Sequence, residues 1–462
     1  MNAGWTWAQE NGRWTSPSLI VPVCHLLKGG QLPVTKQPMS ASHTAATFGS
    51  LNTADPATAL RWTDGDTPCS AQWRSERGAP PSKKVVLADD TINADAAYRL
   101  ACEGTALLWR GDFQNARQLL QALVRRVVQP AKRTQRKQSA KVSMAADGTS
   151  TKPVESAFNL HRQAQAQRAR VLGMLLIPID ADLSIPLRRA PDAREAFTEA
   201  WGPIDDAAGV SVVSLRELLG LISAHEWRKK GVEISALGEA PNNRIHPHYG
   251  VFSPVRGEYV ELVATALKAA LGSKGVAKNS TVKIAFDIGT GTGVLAAVIA
   301  RSGVARVIAT DQDPRALACA QDNLARLGVS EQVQLVQANL FPEGLAELIV
   351  CNPPWLPARP SSPIEHAVYD EGSRMLLGFL NGLRAHLAPD GEGWLIMSDL
   401  AEHLGLRARA DLMSAIEKAG LEVVEKLNAK PVHPKAQDAT TPLHAARAAE
   451  VTSLWRLAAK AD

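Results

Sequence analysis

The chain is predicted to end in a doubly wound, Rossmann-like α/β domain with a seven-stranded sheet, preceded by an α-rich accessory domain and a disordered N-terminal extension. Three observations carry this prediction. From Val282 onward, seven short β-type runs alternate with helical ones, which is how a largely parallel sheet with crossover helices is written. A glycine-rich turn, Gly289-Thr290-Gly291-Thr292-Gly293, stands between the first strand and the first helix of that series. The length of 462 residues exceeds what one compact core takes, so two folded domains plus less ordered segments are expected.

Residues 1–85 are rich in Ser, Thr, Pro, Gly and Ala and show no sustained apolar period, so they are read as disordered. Trp5, Trp7, Trp14, Trp62 and Trp73 are interspersed there, as a docking element or as part of a poorly structured extension; the second reading is adopted. The early apolar run Ser18 to Leu27 is shorter than the roughly 20 residues that span a bilayer. Glu10 and Arg13 nearly cancel ahead of it, so neither an export signal nor a membrane anchor is expected.

Residues 86–235 form the α-rich accessory domain. Ala94 to Trp109 and Asn115 to Val128 read as helices broken at Gly111-Asp112, followed by helices at Phe158 to Leu172, Pro191 to Trp201 and Val212 to Trp227, with an apolar stretch at Leu175 to Ile179. Between 132 and 156, Lys132, Arg133, Arg136, Lys137 and Lys141 occur without an acid and give way to Ser, Thr and Gly, the composition of a flexible basic loop. His161, Arg162, Arg168 and Arg170, with Arg188 and Arg189 later, make either a phosphate-contacting face or a solvated helix balanced by acids elsewhere.

The third domain occupies residues 245–462. Its strands are expected at Val282 to Ile288, Arg306 to Asp311, Val333 to Asn339, Leu345 to Cys351, Trp394 to Ser398, Leu421 to Lys426 and Val451 to Leu457. Helices are expected at Val294 to Arg301, Pro314 to Leu327 and Arg374 to Leu387.

Composition adds bounds. A hydrophobic fraction of 45% with 21% charged residues is that of a globular protein. A net charge of +5 on 51 basic and 46 acidic residues is too small to imply a polyanionic partner by itself. The cysteines, Cys24, Cys69, Cys102, Cys319 and Cys351, have no paired spacing for zinc or a disulfide framework, which fits a reducing, cytoplasmic setting.

The run Phe286-Asp287-Ile288-Gly289-Thr290-Gly291-Thr292-Gly293 ends a strand and opens a helix, where glycines let backbone approach a ligand. Asp311 ends the next strand, and its carboxylate can accept both hydroxyl hydrogens of a ribose. A dinucleotide oxidoreductase would place glycine or alanine three positions after Gly291, where Val294 stands. The turn, with an acid two residues before it, resembles the cofactor motif of class I S-adenosylmethionine-dependent methyltransferases. That resemblance implies S-adenosylmethionine as cofactor, Asp287 near the methionine ammonium, Gly289, Thr290, Gly291 and Gly293 lining the turn, Asp311 on the ribose, and Gln312 beside the adenine. Asn339-Leu340 follows the third strand where the family often has an acid facing the adenine amine; the Asn339 side-chain oxygen can accept the same hydrogen bond.

Asn352-Pro353-Pro354-Trp355 directly follows the fourth apolar strand, and two prolines there stop the strand abruptly. An amide or aromatic amine has a delocalised lone pair that must be turned toward a methyl group for in-line attack. The Asn352 side-chain oxygen and the Pro353 carbonyl supply two acceptors for its N–H hydrogens, and Trp355 supplies a stacking surface. A strand-ending turn with a packed tryptophan is the alternative. The tetrapeptide resembles the Asn-Pro-Pro-aromatic motif of amino methyltransferases acting on adenine, guanine or the glutamine side chain, with Trp355 in place of the commoner tyrosine or phenylalanine.

Upstream, Gly250-Val251-Phe252-Ser253 is similar to ribosomal RNA guanine methyltransferases of the small-domain group, and Pro254, Arg256 and Glu258 loosely match glutamine methyltransferases of translation proteins. The resemblance covers roughly residues 245 to 400. It implies transfer to a planar nitrogen of RNA or a translation-related protein, with Tyr249, Phe252 and Arg256 facing the substrate. His246-Pro247-His248 lacks a third ligand, so no metal is expected. The competing classes are a noncatalytic binding module of the same fold and a nicotinamide-dependent oxidoreductase.

Overall fold

The structure, a computed structural model, describes residues 6–8, 13–15, 59–142, 152–203, 209–272, 282–360, 363–431 and 443–461. Contacts divide them into two units, one of residues 166–222 with those before 147, the other of residues 152–165 with those from 223 on. Among the described residues no helix is long and apolar enough to cross a membrane.

In the first unit, β1 (Thr6–Ala8) pairs antiparallel with β2 (Arg13–Thr15). The remaining elements are β3 (Ala59–Asp64), β4 (Thr67–Arg74), β5 (Lys84–Ala88), α1 (Ala94–Cys102), β6 (Thr105–Trp109), α2 (Phe113–Val142), α3 (Lys152–Leu172), β7 (Leu175–Ile179), α4 (Arg194–Trp201), β8 (Ser211–Ser214) and α5 (Leu215–Lys230). Helices α3 and α5 each contribute residues to both groupings. The strands form one mixed sheet in the order β3-β4-β8-β7-β6-β5.

This sheet corrects three expectations. Residues 59–85 are ordered rather than disordered: β3 and β4 form an antiparallel hairpin turning at Gly65, whose φ of +59 suits glycine. Trp62 and Leu60 are buried in its core with Leu108, Leu176 and Val212. The disorder expected of residues 1–5, 9–12 and 16–58, with Trp5 and the run Ser18 to Leu27, concerns positions outside the described residues. The accessory domain is not α-rich but α/β, because the stretch read as one helix to Trp109 splits at Gly104 (φ +83) into α1 and the fully buried β6. A short run of four apolar residues after Thr105 fits a buried strand as well as a helix face, and pairing decided between them. Likewise 211–214 is strand, with helix only from Leu215. The basic run Lys132 to Lys141 belongs to α2 rather than to a loop, and residues 143–151 lie outside the described residues.

The second unit opens with the short antiparallel pair β9 (Val232–Glu233) and β10 (Arg244–Ile245). It continues through α6 (Glu258–Gly272), β11 (Ile284–Ile288), α7 (Val294–Arg301), β12 (Arg306–Asp311), α8 (Pro314–Leu327), β13 (Val333–Gln337) and β14 (Ala346–Cys351). The last part is α9 (Arg374–His386), β15 (Leu387–Ser398), α10 (Leu400–His403), α11 (Arg409–Lys418), β16 (Leu421–Ala429), α12 (His444–Ala449) and β17 (Thr452–Ala459). The seven strands stand in the order β13-β12-β11-β14-β15-β17-β16, and β17 alone runs antiparallel to its neighbours. This is the seven-stranded, doubly wound Rossmann-like sheet expected from the strand rhythm.

Period-two alternation sorts the side chains of each strand between two cores. Leu348 and Val350 pack with α6 and α7 on one face, whereas Ile349 and Cys351 pack with Phe379, Leu380 and Leu383 of α9 on the other. Helix boundaries follow local chemistry. Asp313 caps α8 by accepting the Arg315 N–H at 2.9 Å, Pro314 occupies its first turn, and Gly328 in the left-handed region ends it.

Candidate functional site

The register of three adjacent parallel strands assembles the site. Ile288 pairs with Thr310 on one side and Cys351 on the other, so Gly289, Asp311 and Asn352 leave the sheet at the same carboxyl edge. That edge is where open α/β sheets bind ligands.

The glycine turn is held from two directions. The N–H groups of Gly289 and Thr290 both donate to the Thr310 carbonyl, at 2.9 and 2.8 Å. The Gly291 N–H donates to Asp311 Oδ2 at 3.0 Å, while Asp311 Oδ1 accepts from the Asp313 N–H. All three glycines have positive φ. A Cβ at Gly291 would meet nothing within 4 Å, so this backbone faces open space. A Cβ at Gly293 would lie 3.2 Å from Ala320, and there glycine permits close packing of α7 on α8.

Asp287 is buried, 1% exposed, and its Oδ2 accepts from the Thr290 hydroxyl at 2.7 Å and the Ala296 N–H at 3.0 Å. Helix α7 begins at Gly293, which has no side chain to cap it. Asp287 supplies the missing acceptor from the preceding strand, with its charge near the positive end of the helix dipole. Burial nevertheless pushes its carboxyl up to about 6, against the pull of those two hydrogen bonds and with a contribution from Asp311. Burial also raises Asp311, opposed by the N–H groups of Asp313 and Gly291.

The third strand stops at Gln337, short of Asn339, whose side chain is exposed, as is that of Gln312. Leu340 has φ of +74, and its carbonyl accepts from Thr310 Oγ1 at 2.6 Å. Thr310 thus ties the glycine turn to the segment after β13. Sequence reasoning passed over it because its role uses a carbonyl and a hydroxyl that become meaningful only when three strands are side by side.

Asn352 is half-buried and Pro353 buried. Trp355 Nε1 donates to Asn352 Oδ1 at 3.0 Å. An indole N–H only donates, so this contact fixes which Asn352 atom is the oxygen and leaves that oxygen a second lone pair. Trp355 therefore sets the direction of the Asn352 amide. One side of its ring carries Arg256, whose guanidinium carbon lies 5.4 Å from the ring centroid.

Arg256, expected to face the substrate, is held by two carboxylates. Its Nε donates to Glu258 Oε1 at 2.7 Å and its Nη1 to Glu450 Oε1 at 3.0 Å. Glu450 also accepts from Ser398 Oγ at 2.7 Å. Arg256 is an internal clamp on Trp355, and no sequence signal pointed to Glu450, 194 residues away. Phe252 packs against the core and Tyr249 is half-buried beside it in sequence. His246 and His248 are separately engaged, Nδ1 of the first with the Arg228 carbonyl at 2.6 Å and Nε2 of the second with Asp322 at 2.9 Å.

Of the two readings left open for the basic residues, a phosphate-contacting face or a helix balanced by partners elsewhere, the contacts describe internal partners for several. Arg162 donates to the Arg359 carbonyl and lies over the Tyr369 ring. Arg188 and Arg189 both donate to the buried Asp112, and Arg170 donates to Gln167 and the Cys102 carbonyl.

Comparison with known proteins matches residues 268–353 to the family described as ribosomal protein L11 methyltransferase. That stretch runs from α6 through β14 and ends at Pro353. A ribosomal protein L11 methyltransferase of Pelotomaculum thermopropionicum is 38% identical over 144 residues, which is 30% of this chain and 39% of that protein. One of Vibrio cholerae is 38% identical over 98 residues, 21% of this chain and 33% of that protein. The chain therefore spans well under half the length of these curated relatives. Among solved structures, a ribosomal protein L11 methylase of Lactobacillus delbrueckii subsp. bulgaricus aligns over 44% of this chain and 80% of its own, at 19% identity and a TM-score of 0.30.

Proposed function

We propose that this chain is an S-adenosylmethionine-dependent methyltransferase acting on a planar amino or amide nitrogen of a translation-related macromolecule. The observation that carries the reading is the juxtaposition, by register, of the open Gly291 turn, Asp311 and Asn352 at one edge of the sheet. The family match supports the donor half of the reading, since it covers the turn and both flanking strands. The relatives' activity on ribosomal protein L11 supports a translation-related acceptor.

The residues suit this cofactor. Gly289, Thr290, Gly291 and Gly293 form its cradle, the open side of Gly291 admitting a ligand against backbone. Asp311 has lone pairs beyond those used by the turn and accepts ribose hydroxyls, with Gln312, Asn339 and Leu340 bordering the adenine. Asp287 is the buried counter-charge for a cationic amino acid end. When bound, S-adenosylmethionine supplies an electrophilic methyl group.

The chain's own contribution to the transfer is orientation. Asn352 Oδ1, its direction set by Trp355, and the Pro353 carbonyl accept the N–H hydrogens of the acceptor and turn the nitrogen lone pair toward the donor side. Pro353 and Pro354 fix the backbone that presents these acceptors. Tyr249 and Phe252 border the acceptor side on the segment before α6. No strong base is needed ahead of transfer, because the nitrogen sheds its proton once it becomes cationic.

The test uses the full chain with methyl-labelled cofactor and separated ribosomal protein, ribosomal RNA and small-molecule fractions. Label should enter the ribosomal protein or RNA fraction and be lost with Asn352→Ala. Wild-type protein that binds the cofactor yet labels neither macromolecular fraction would refute the reading.

A further inference from the structure

The first part of helix α3 turns a polar face inward. Residues 152–165 group with the second unit. Between 155 and 165, the residues withdrawn from solvent are Phe158, His161, Arg162 and Gln165, whereas Leu160 is exposed. That spacing is one stripe of a helix, yet His161, Arg162 and Gln165 are polar and an apolar residue is left outside. A stripe selected for packing alone would be apolar, because a charge taken out of water must find partners.

Arg162 finds its partners in one loop. Its Nη2 donates to the Arg359 carbonyl at 2.7 Å and lies 3.7 Å from Glu365 Oε2. Its guanidinium carbon stands 4.6 Å from the centroid of the Tyr369 ring. Glu365 and Tyr369 are both buried, so water screens these contacts little. The loop runs from Leu356 to Asp370. At its base Leu356 bridges to Tyr369: the Leu356 N–H donates to the Val368 carbonyl at 3.3 Å and the Asp370 N–H to the Leu356 carbonyl at 2.9 Å. Arg359 lies on the outgoing limb, Glu365 and Tyr369 on the returning one, so Arg162 joins the two limbs away from the base. The returning limb has a further anchor, since Asp370 Oδ2 caps α9 by accepting the N–H groups of Met375 and Leu376 at 2.9 and 3.2 Å. What Arg162 adds is a hold on the outgoing limb, which begins at Trp355.

We propose that Arg162 is a positioning residue for the acceptor motif: by stapling the two limbs of the loop it fixes the chain that leaves Trp355, and through the Trp355 indole the direction of the Asn352 oxygen. Arginine suits the place, because one planar fork reaches a carbonyl and a carboxylate while its face lies on a ring, which the point charge of lysine cannot do. Its partners lie outside the glycine turn, so the role acts on transfer and not on donor binding. It rests on the reading of Asn352 to Trp355 as the acceptor motif.

The full chain, Arg162→Gln and Arg162→Lys are compared in methyl transfer to the macromolecular fraction that the wild type labels, and in binding of S-adenosylhomocysteine by calorimetry. Arg162→Gln should lower kcat about tenfold with donor-site affinity kept within about twofold. Arg162→Lys, which keeps the charge over the ring but not the fork, should recover part of that loss. A further readout needs no acceptor. In protein labelled with 5-fluorotryptophan, the Trp355 fluorine resonance, assigned by its absence in Trp355→Phe, should move in Arg162→Gln without any ligand. A contact that serves stability alone would lower the melting temperature and leave kcat and this resonance unchanged. Wild type that labels no fraction refutes the methyl-transfer reading, and the resonance still tests the hold of Arg162 on Trp355. If Arg162→Gln does not fold, Arg162→Lys carries the same measurements and should show a smaller fall in kcat and a smaller shift. The proposal is overturned by wild-type kcat in the folded variants, by an equal fall in donor-site affinity, or by an unmoved Trp355 resonance.

Discussion

Replacing Asp287 by asparagine separates the role of this residue in the fold from its role as a charge. The folded carboxyl titrates near 6 against an ordinary 3.8, because burial outweighs two hydrogen bonds. A carboxyl raised on folding binds its proton more tightly in the native state, so the native state is favoured below the unfolded value and loses that advantage as pH rises through 6. The span of about two pH units corresponds to about 3 kcal/mol. About 2 kcal/mol of this falls between roughly pH 4.5 and 7.5. The substituted asparagine would keep an oxygen to accept from Thr290 and Ala296, and any misfit of its amide adds a constant independent of pH. Urea unfolding of wild type and Asp287→Asn across this interval should show the variant gaining about 2 kcal/mol on the wild type by pH 7.5. Two parallel profiles would refute the buried-charge argument. On the proposed function, the same variant should lose affinity for S-adenosylmethionine, so its gain in stability at neutral pH comes with a loss of binding.

Gly289→Ala places a Cβ 2.6 Å from Met375 Cε at a φ of +73. It should lower stability by about 1–3 kcal/mol in thermal unfolding, with partial recovery on adding Met375→Ala. Trp355→Phe keeps a ring against Arg256 but removes the donor to Asn352 Oδ1. In methyl-transfer kinetics kcat should fall about tenfold while donor affinity is retained, since the loss is one of orientation. Glu450→Ala leaves the buried Arg256 guanidinium and the Ser398 hydroxyl each short of a partner. Urea unfolding should show a loss of about 3 kcal/mol.

Legibility differed between the two units for physical reasons. In the second unit, parallel strands buried on both faces read as short apolar runs, and glycine, Asp313 or proline marks most of their ends, so β12, α7 and α8 fall on their expected residues. In the first unit the hairpin β3–β4 alternates Leu60 and Trp62 with polar residues over only six positions, too short a period to stand out from a polar tract. There β6 follows a helix after the short break Glu103-Gly104, and its apolar run continues the helical pattern. The clamp on Arg256 was not legible because a lone arginine in a loop reads as exposed until its two carboxylates, one from the far end of the chain, come into reach.

The sequence by itself determined the strand-turn-helix cradle, the acid ending the second strand and the proline stop after the fourth. Each depends on backbone freedom or its loss at a few consecutive positions. Only the tertiary structure decided that Asp287 caps α7, that Thr310 ties three strand ends together and that Trp355 orients Asn352. Those relations join residues tens of positions apart or, for Asp287 and Trp355, depend on where a side chain turns. Register and packing set both.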